Sequence, residues 1–420
     1  MDDVHRHGRA APPERPRPLV KLRAAAALAA AMGVGRFAYT PILPLMTAQA
    51  GLSPAAGASL ATANYLGYFA GALATVVRPP SRLGWRVSLV LLVVTLVGMP
   101  LAHGVVAWFV LRAVAGVASA VVFVAAVNAR PGWGMSGVGV GIALSGLLVL
   151  GWGQWQAAWW AAAVVCAVLA AVGWGLDAPG VSDLPGTIGV GTRRPLGAGE
   201  SESVQGRRGH EQEWPGPGQE RPGPGQNQRD PLQDQRDPHQ GRRAFALLFT
   251  AYTLEGVGYI IAATFLVAAI PGPQGNTAWI LVGASAALSP ILLKPARHTL
   301  PAALAVQAAG IALPTLIDNT ALPATLLFGG TFIGIAATAL KQGTDLGIPN
   351  AAAILTAGYS AGQIAGPLLA APLLHNGYHH ALLLAAGIVA LAAITAAAPL
   401  SRRRAAPRTP RRSRRAARAG

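Results

Sequence analysis

Three charged side chains stand inside long apolar stretches of this 420-residue chain: Arg36, Arg112 and Glu255. A charge at bilayer depth costs on the order of 3 kcal/mol even on lenient insertion scales, so each is expected to face a partner or an internal cavity. Glu255 carries the sharpest expectation, because a carboxyl group that exchanges its proton as a cation arrives or leaves is what proton-coupled chemistry requires. Tyr252 and Tyr259 lie three residues before and four after it, on the same helical face, with phenols able to hydrogen-bond it. Arg36 shares a face with Tyr39 and Thr40, so a cation, a phenol and a hydroxyl meet at one level. Either an anionic substrate group or Glu255 would satisfy that guanidinium, and a permanent Glu255–Arg36 bridge is the competing structural reading. Arg112 is either a functional group at depth or an arginine that snorkels or bonds backbone carbonyls of a neighbouring helix. Asn64, Tyr65, Gln307, Tyr359 and Gln363 are further polar residues in apolar surroundings, candidates for a substrate cavity or for hydrogen bonds between helices.

Such residues need elements that hold them at depth. The chain is 52% hydrophobic and 12% charged, against roughly 25% charged in a soluble domain. Crossing a bilayer takes about 20 apolar residues, and twelve runs meet that length. They cover 24–48, 57–77, 87–104, 105–127, 134–152, 155–176, 244–270, 276–293, 299–317, 321–341, 349–374 and 378–400. With the N-terminus cytoplasmic, the external loops carry no Lys or Arg, whereas Arg78, Arg82, Arg86, Arg130, Lys294, Arg297 and Lys341 fall on the inner side. This distribution predicts an even number of spans in the plasma membrane, with both termini cytoplasmic and the first span retained.

The spans divide the chain into an N-terminal segment (1–23), a six-helix half (24–177), a polar linker (178–243), a second six-helix half (244–400) and an Arg-rich tail (401–420). The linker repeats Pro-Gly-Pro-Gly-Gln at 215–219 and 222–226 and Gln-Arg-Asp-Pro at 228–231 and 235–238. It lacks the aliphatic content to offset ordering entropy and reads as a cytoplasmic tether. The tail holds nine Arg and no acid, which suits an anionic lipid surface. A net charge of +17 gathered in such segments therefore points to the bilayer and not to nucleic acid. One cysteine, Cys166, excludes an intrachain disulfide and reads as packing. His375, His379 and His380 lack a nearby carboxylate or thiol to complete a metal site and read as a solvated loop. Trp155, Trp159 and Trp160 read as an interfacial aromatic belt.

The halves echo each other. Gly33-Val-Gly35 precedes Arg36 in the first span and Gly256-Val-Gly258 precedes Tyr259 in the seventh. Gly137 and Gly141 in the fifth span correspond to Gly358, Gly362 and Gly366 in the eleventh. Both echoes pair a span with the one six later, the parallel repeat of transporters whose halves rock about a central site.

Met32-Gly-Val-Gly-Arg-Phe-Ala-Tyr-Thr-Pro-Ile-Leu-Pro-Leu-Met46 resembles the opening of the YbfB/YjiJ-type transporters of the major facilitator superfamily. Asn64-Tyr-Leu-Gly-Tyr68, Leu254-Glu-Gly-Val-Gly-Tyr259 and Gly358-Tyr-Ser-Ala-Gly-Gln-Ile-Ala-Gly-Pro-Leu368 are similar to that family at matching places. The resemblance implies an all-α integral membrane protein of twelve transmembrane helices in two six-helix halves, working by alternating access. It also implies that the first and seventh spans line the cavity, and that Arg112 with Gly116 takes part in proton relay. Two departures stand out: 73–86 carries three Arg without the acid usual in the superfamily's loop between spans 2 and 3, and Gly141 is followed by Ile142 where antiporters of the superfamily have Gly-Pro.

The expected function is secondary active transport of a small organic solute, coupled to protons through Glu255, Arg36 and Arg112. Its cavity would be lined by Arg36, Tyr39, Thr40, Asn64, Tyr65, Tyr252, Glu255, Tyr259, Gln307, Tyr359 and Gln363. No cofactor, metal or nucleic-acid partner is expected, and the chain is expected to be a monomer. An enzyme is not expected, on a reading with no HExxH motif, no GxSxG motif of a hydrolase and no paired acids at membrane depth. A non-transporting sensor or scaffold with the same fold is the alternative.

Overall fold

A computed structural model describes residues 18–129, 132–176, 238–268, 274–294, 296, 298–376 and 378–398. The expectations for the first 17 residues, for most of the linker, for the Arg-rich tail and for Arg130 and Arg297 lie outside the described residues. The described residues are helical throughout, without strands. We number the helices by span. The first half comprises α1 (Pro18–Ala50), α2 (Pro54–Val77), α3 (Arg82–Leu101), α4 (Val105–Asn128), α5 (Gly132–Gly151) and α6 (Trp155–Gly173). The second comprises α7 (Pro238–Ala268), α8 (Gln274–Leu292), α9 (Thr299–Leu316), α10 (Ala321–Asp345), α11 (Ala351–Ala370) and α12 (Tyr378–Ala397).

Every expected span is present within about two helical turns. The largest shifts extend helices toward polar flanks: α1 starts at Pro18 and α7 at Pro238, so 238–243, assigned to the linker, is helical instead. Local chemistry sets several ends. Ser53 caps α2 by accepting from the Ala56 N–H, and Ser81 caps α3 by accepting from the Gly84 N–H. Gly51 ends α1 in the left-handed region at φ 63°.

Eleven of the described helices are long and apolar enough to cross a membrane, and α11 is not among them. Its deficit has a packing cause. Thr356, Tyr359, Ser360 and Gln363 dilute its hydropathy, and all four are buried. A helix surrounded by other helices need not be apolar on the lipid's account.

The packing repeats with an offset of six. Helix α2 packs on α4, α1 on α5, α3 on α4, α3 on α6 and α1 on α6; the second half repeats each pair as α8 on α10, α7 on α11, α9 on α10, α9 on α12 and α7 on α12. Between halves α5 packs on α8 and α2 on α11, two contacts exchanged by the same offset. Among the described residues, hydrogen bonds cross this boundary where Arg36 Nη2 donates to Gln363 Oε1, Trp279 Nε1 to Ser145 Oγ at 3.2 Å, and Asn350 Nδ2 to the Val76 carbonyl at 2.9 Å.

Water exclusion gives little drive for helix association in lipid, so close backbone approach carries it. Gly33 of α1 crosses Gly141 of α5 so tightly that a Cβ on Gly33 would overlap the Gly141 Cα. Gly362 of α11 meets the backbone of α7 at Thr253 to Val257 in the same manner, so the sequence echo marks equivalent crossings. Gly33→Ala is expected to destabilise the fold by about 1–3 kcal/mol. Gly330→Ala, where nothing lies within 4 Å, should be neutral or stabilising. Thermal unfolding of the detergent-solubilised protein checks both, and an unchanged melting temperature in Gly33→Ala would show that the crossing yields freely.

Candidate functional site

The site begins with a defect in α1. Residues Ala29–Arg36 form a π-helical stretch between α-helical Pro18–Leu28 and Tyr39–Ala50. Pro41 has no N–H to return to Phe37, and the Thr40 N–H bonds the Phe37 carbonyl at 3.2 Å, so the regular ladder is interrupted here. Side chains of neighbouring helices reach the carbonyls of this stretch. Ser119 Oγ donates to Ala31 at 3.0 Å, Cys166 Sγ lies 3.7 Å from the Ala30 carbonyl, and Arg112 donates to Gly35 at 3.3 Å and to Arg36 at 2.9 Å. Arg112 also lies over the Tyr39 ring at 4.8 Å, and Asn64 Nδ2 donates to the Arg112 carbonyl at 3.0 Å. Of the two readings of Arg112, the geometry matches bonding to carbonyls of a neighbouring helix.

The π-helical stretch ends on Arg36, whose side chain leaves α1 toward the boundary between halves. Its guanidinium lies over the Tyr68 ring at 3.9 Å, with Phe37 at 5.4 Å and Tyr65 at 5.6 Å. One nitrogen reaches Gln363 of α11, the Tyr68 hydroxyl lies within hydrogen-bonding reach, and Nε and Nη1 are buried without an aligned bond. Arg36 is 2% exposed and Glu255 1%, yet no ion pair joins them among the described residues, and both Glu255 carboxyl oxygens lack a hydrogen-bond partner. The permanent bridge is thus not formed.

Glu255 sits in α7 with Gln307 of α9 and Tyr359 of α11 as its polar neighbours. Both amide atoms of Gln307 and the Tyr359 hydroxyl are buried too, within hydrogen-bonding reach of the carboxyl but without the alignment of a formed bond. Between Glu255 and Arg36 lies an aromatic layer. Tyr252 stacks on Tyr359 at 4.7 Å, Tyr259 stacks on Phe332 at 4.1 Å and on Phe328 at 5.4 Å, and Tyr259 meets Tyr359 at 6.0 Å. Each of these three tyrosines is within electrostatic range of both Arg36 and Glu255.

The structure therefore gathers Arg36, Tyr65, Tyr252, Glu255, Tyr259, Gln307, Tyr359 and Gln363 about one centre. Tyr39, Asn64 and Arg112 form an adjoining cluster on α1, α2 and α4, joined to that centre through Tyr65 and the Arg36 carbonyl, and there Tyr39 donates to the Gly57 carbonyl at 2.8 Å. Thr40 is half-buried. Sequence reasoning missed Tyr68, Phe328 and Phe332 as site residues; Tyr68 was within reach, four residues after Asn64 on one helical face.

Three expectations need correction. Trp159 is fully buried and Trp155 7% exposed, stacked edge-on against Trp108 at 5.7 Å, so only Trp160 of the three stands at the surface. Gly358-Tyr-Ser-Ala-Gly362 does fit a G-x-S-x-G hydrolase pattern, but Ser360 is buried inside α11 and donates to the Thr356 carbonyl at 2.7 Å. No strand-to-helix elbow presents it. The exposed His379 is not simply solvated, since its Nε2 lies 2.6 Å from the Thr315 carbonyl. The His375 side chain lies outside the described residues.

Twelve helices in two repeated halves, with buried charged and aromatic groups where the halves meet, define a membrane transporter of the major facilitator type. The chain belongs to the family described as uncharacterised MFS-type transporter YbfB, whose model matches residues 28–179 and 221–397. Its fold is similar to that of the human organic anion transporter MFSD10 (TETRAN), with a TM-score of 0.58 at 14% identity over 90% of this chain and 100% of that one. No curated protein matches the chain. Family and fold make it a multi-pass membrane transporter and not an enzyme.

Arg112→Met would leave the Gly35 and Arg36 carbonyls without their donors. Each buried unsatisfied group costs about 1–3 kcal/mol, so this variant should unfold at a clearly lower temperature than wild type. Wild-type thermal stability with altered transport would instead return Arg112 to proton relay.

Proposed function

We propose that the chain is a secondary active transporter that moves a small organic solute by alternating access and couples it to protons through Glu255. The observation that carries the reading is the pair of buried, mutually unpaired ionisable groups, Arg36 on α1 and Glu255 on α7, which have the same three tyrosines as neighbours where the halves meet. An unpaired carboxylate in a low-dielectric interior is costly, whereas a carboxylic acid is tolerated. In the sealed arrangement Glu255 then carries a proton, which it releases once the halves part and admit water.

Alternating access is supported by the two-fold exchange of contacts between halves and by where they are bonded. Asn350 ties α11 to the end of α2, the end that leads into Arg78, Arg82 and Arg86. At the opposite end Gln49 bonds Gly153 at 2.7 Å and accepts from the Trp155 N–H at 3.0 Å, both within the first half. Of the hydrogen bonds between halves, that of Trp279 to Ser145 lies toward this opposite end, whereas that of Asn350 lies at the basic, proposed cytoplasmic end. Both termini lie on that side in a monomer of the plasma membrane.

Purified protein in liposomes under a pH gradient, challenged with pools of amino acids, sugars, organic acids and hydrophobic drugs, should show a proton flux that depends on one pool. Glu255→Gln should remain folded and lose that flux. Flux unchanged in the variant would remove Glu255 from coupling. No flux and no isotopic uptake for any pool in wild type would sink the transport reading in favour of a sensor.

A further inference from the structure

Glu255 and Arg36 taken as residue types favour opposite substrate charges, but their surroundings break the tie. We infer that the substrate is a small organic anion whose carboxylate binds the Arg36 guanidinium, and that it travels with the proton held by Glu255. The inference rests on the transport reading for its second half and on the geometry around Arg36 for its first.

The two buried charges differ in what they can do alone. A carboxylate without a partner is neutralised by taking up a proton, but a guanidinium stays protonated in proteins and is neutralised only by a counter-anion. Arg112 shows how this chain holds a buried cation permanently: two backbone carbonyls and a Tyr39 face. Arg36 is held differently. Its partners are all neutral, the Gln363 amide oxygen and Tyr68, whose ring it overlies and whose hydroxyl is within hydrogen-bonding reach, and the side chain is 2% exposed. No carboxylate lies within 4 Å of it among the described residues. A cationic substrate would bring a second positive charge beside it, and a neutral one would leave it uncompensated. An anion completes both its charge and its donors.

The far side of the aromatic layer specifies the rest of the solute. Gln307 and Tyr359 lie within hydrogen-bonding reach of Glu255, and the remaining donor and acceptor capacity of the three groups suits a hydroxyl or carbonyl on the body of the anion. The stacked rings of Tyr252, Tyr259, Tyr359 and Phe332 suit a planar or apolar body between the two polar ends. Carried together with one proton, a monoanion moves without net charge.

The test uses the full chain in detergent and sets of molecules that share a skeleton and differ in charge: benzoate, benzylamine and benzyl alcohol; 4-hydroxybenzoate, 4-hydroxybenzylamine and 4-hydroxybenzyl alcohol; and aliphatic acids with their amines and alcohols. Acids should raise the melting temperature and quench tryptophan fluorescence where the matched amines and alcohols do not. Arg36→Gln should weaken acid binding by at least about tenfold, the scale of one charge-assisted hydrogen bond. Glu255→Gln should still bind the acid and lose the pH dependence of that binding. Should Arg36→Gln fail to fold, the comparison among acid, amine and alcohol on wild type decides by itself. Stabilisation by amines or alcohols in place of acids, or by none of the acids, overturns the inference and leaves transport standing. Acid binding without flux in liposomes would do the reverse.

Discussion

A guanidinium at bilayer depth with no carboxylate beside it is the constraint on which the rest of the centre depends. Arg36 can be tolerated there only if neighbours supply electron density without a full negative charge, and the chain does so with a tyrosine face and an amide oxygen. Its position follows from the π-helical stretch behind it. Backbone that departs from regular α-helix in a membrane is viable where other protein groups meet its carbonyls, and Ser119 and Arg112 of α4 do that at Ala31, Gly35 and Arg36. The second buried arginine thus serves the backbone that presents the first.

The scaffold around that centre is symmetrical while its chemistry is not. Five packing pairs recur with an offset of six helices, and the crossing of Gly33 on Gly141 has its counterpart where Gly362 meets α7. At the equivalent place after the paired glycines, one half carries Arg36 and the other Tyr259. Both side chains stack on aromatic neighbours, Arg36 on Tyr68 and Tyr259 on Phe332. Both buried arginines belong to the first half, and the buried carboxyl and the tyrosine layer belong to the second. On the proposed reading, a substrate held between the halves meets a cationic wall on one side and an aromatic wall with a carboxyl group on the other.

Much of this was legible in the sequence because bilayer thickness turns span length into a pattern that needs no tertiary information. Twelve runs became twelve helices, and charges at depth pointed to Arg36 and Glu255. What was illegible depended on neighbours. The π-helical stretch has no composition that sets it apart from Ala-rich α-helix, and it exists because side chains of α4 reach its carbonyls. Trp155 and Trp159 read as a belt because tryptophan near a span end usually faces headgroups, but the edge-on packing of Trp108 on Trp155 draws that end of α6 inward. Phe328 and Phe332 carried no signal at all, since phenylalanine in an apolar span is indistinguishable from lipid-facing surface until Tyr259 is seen stacked on it. Helix α11 is the converse: its weak hydropathy, which obscures it as a span, is the mark of its central place.

The choice of a neutral partner for Arg36 bears on how the halves can part. The Arg36–Gln363 bond crosses the boundary between α1 and α11, so on the proposed reading it must break or slide whenever the two halves rock. A bond between a charged group and a neutral one is worth about 1.5–3 kcal/mol net. Breaking a buried ion pair costs about 3–5 kcal/mol, because an uncompensated charge is left behind. An acid at position 363 would therefore satisfy Arg36 more fully and also bolt the protein shut. With glutamine there, the guanidinium is held in place but left short of a counter-charge. The transition can then be governed by what arrives to supply that charge, and the other hydrogen bonds across the boundary among the described residues, at Ser145 and Val76, are single neutral ones.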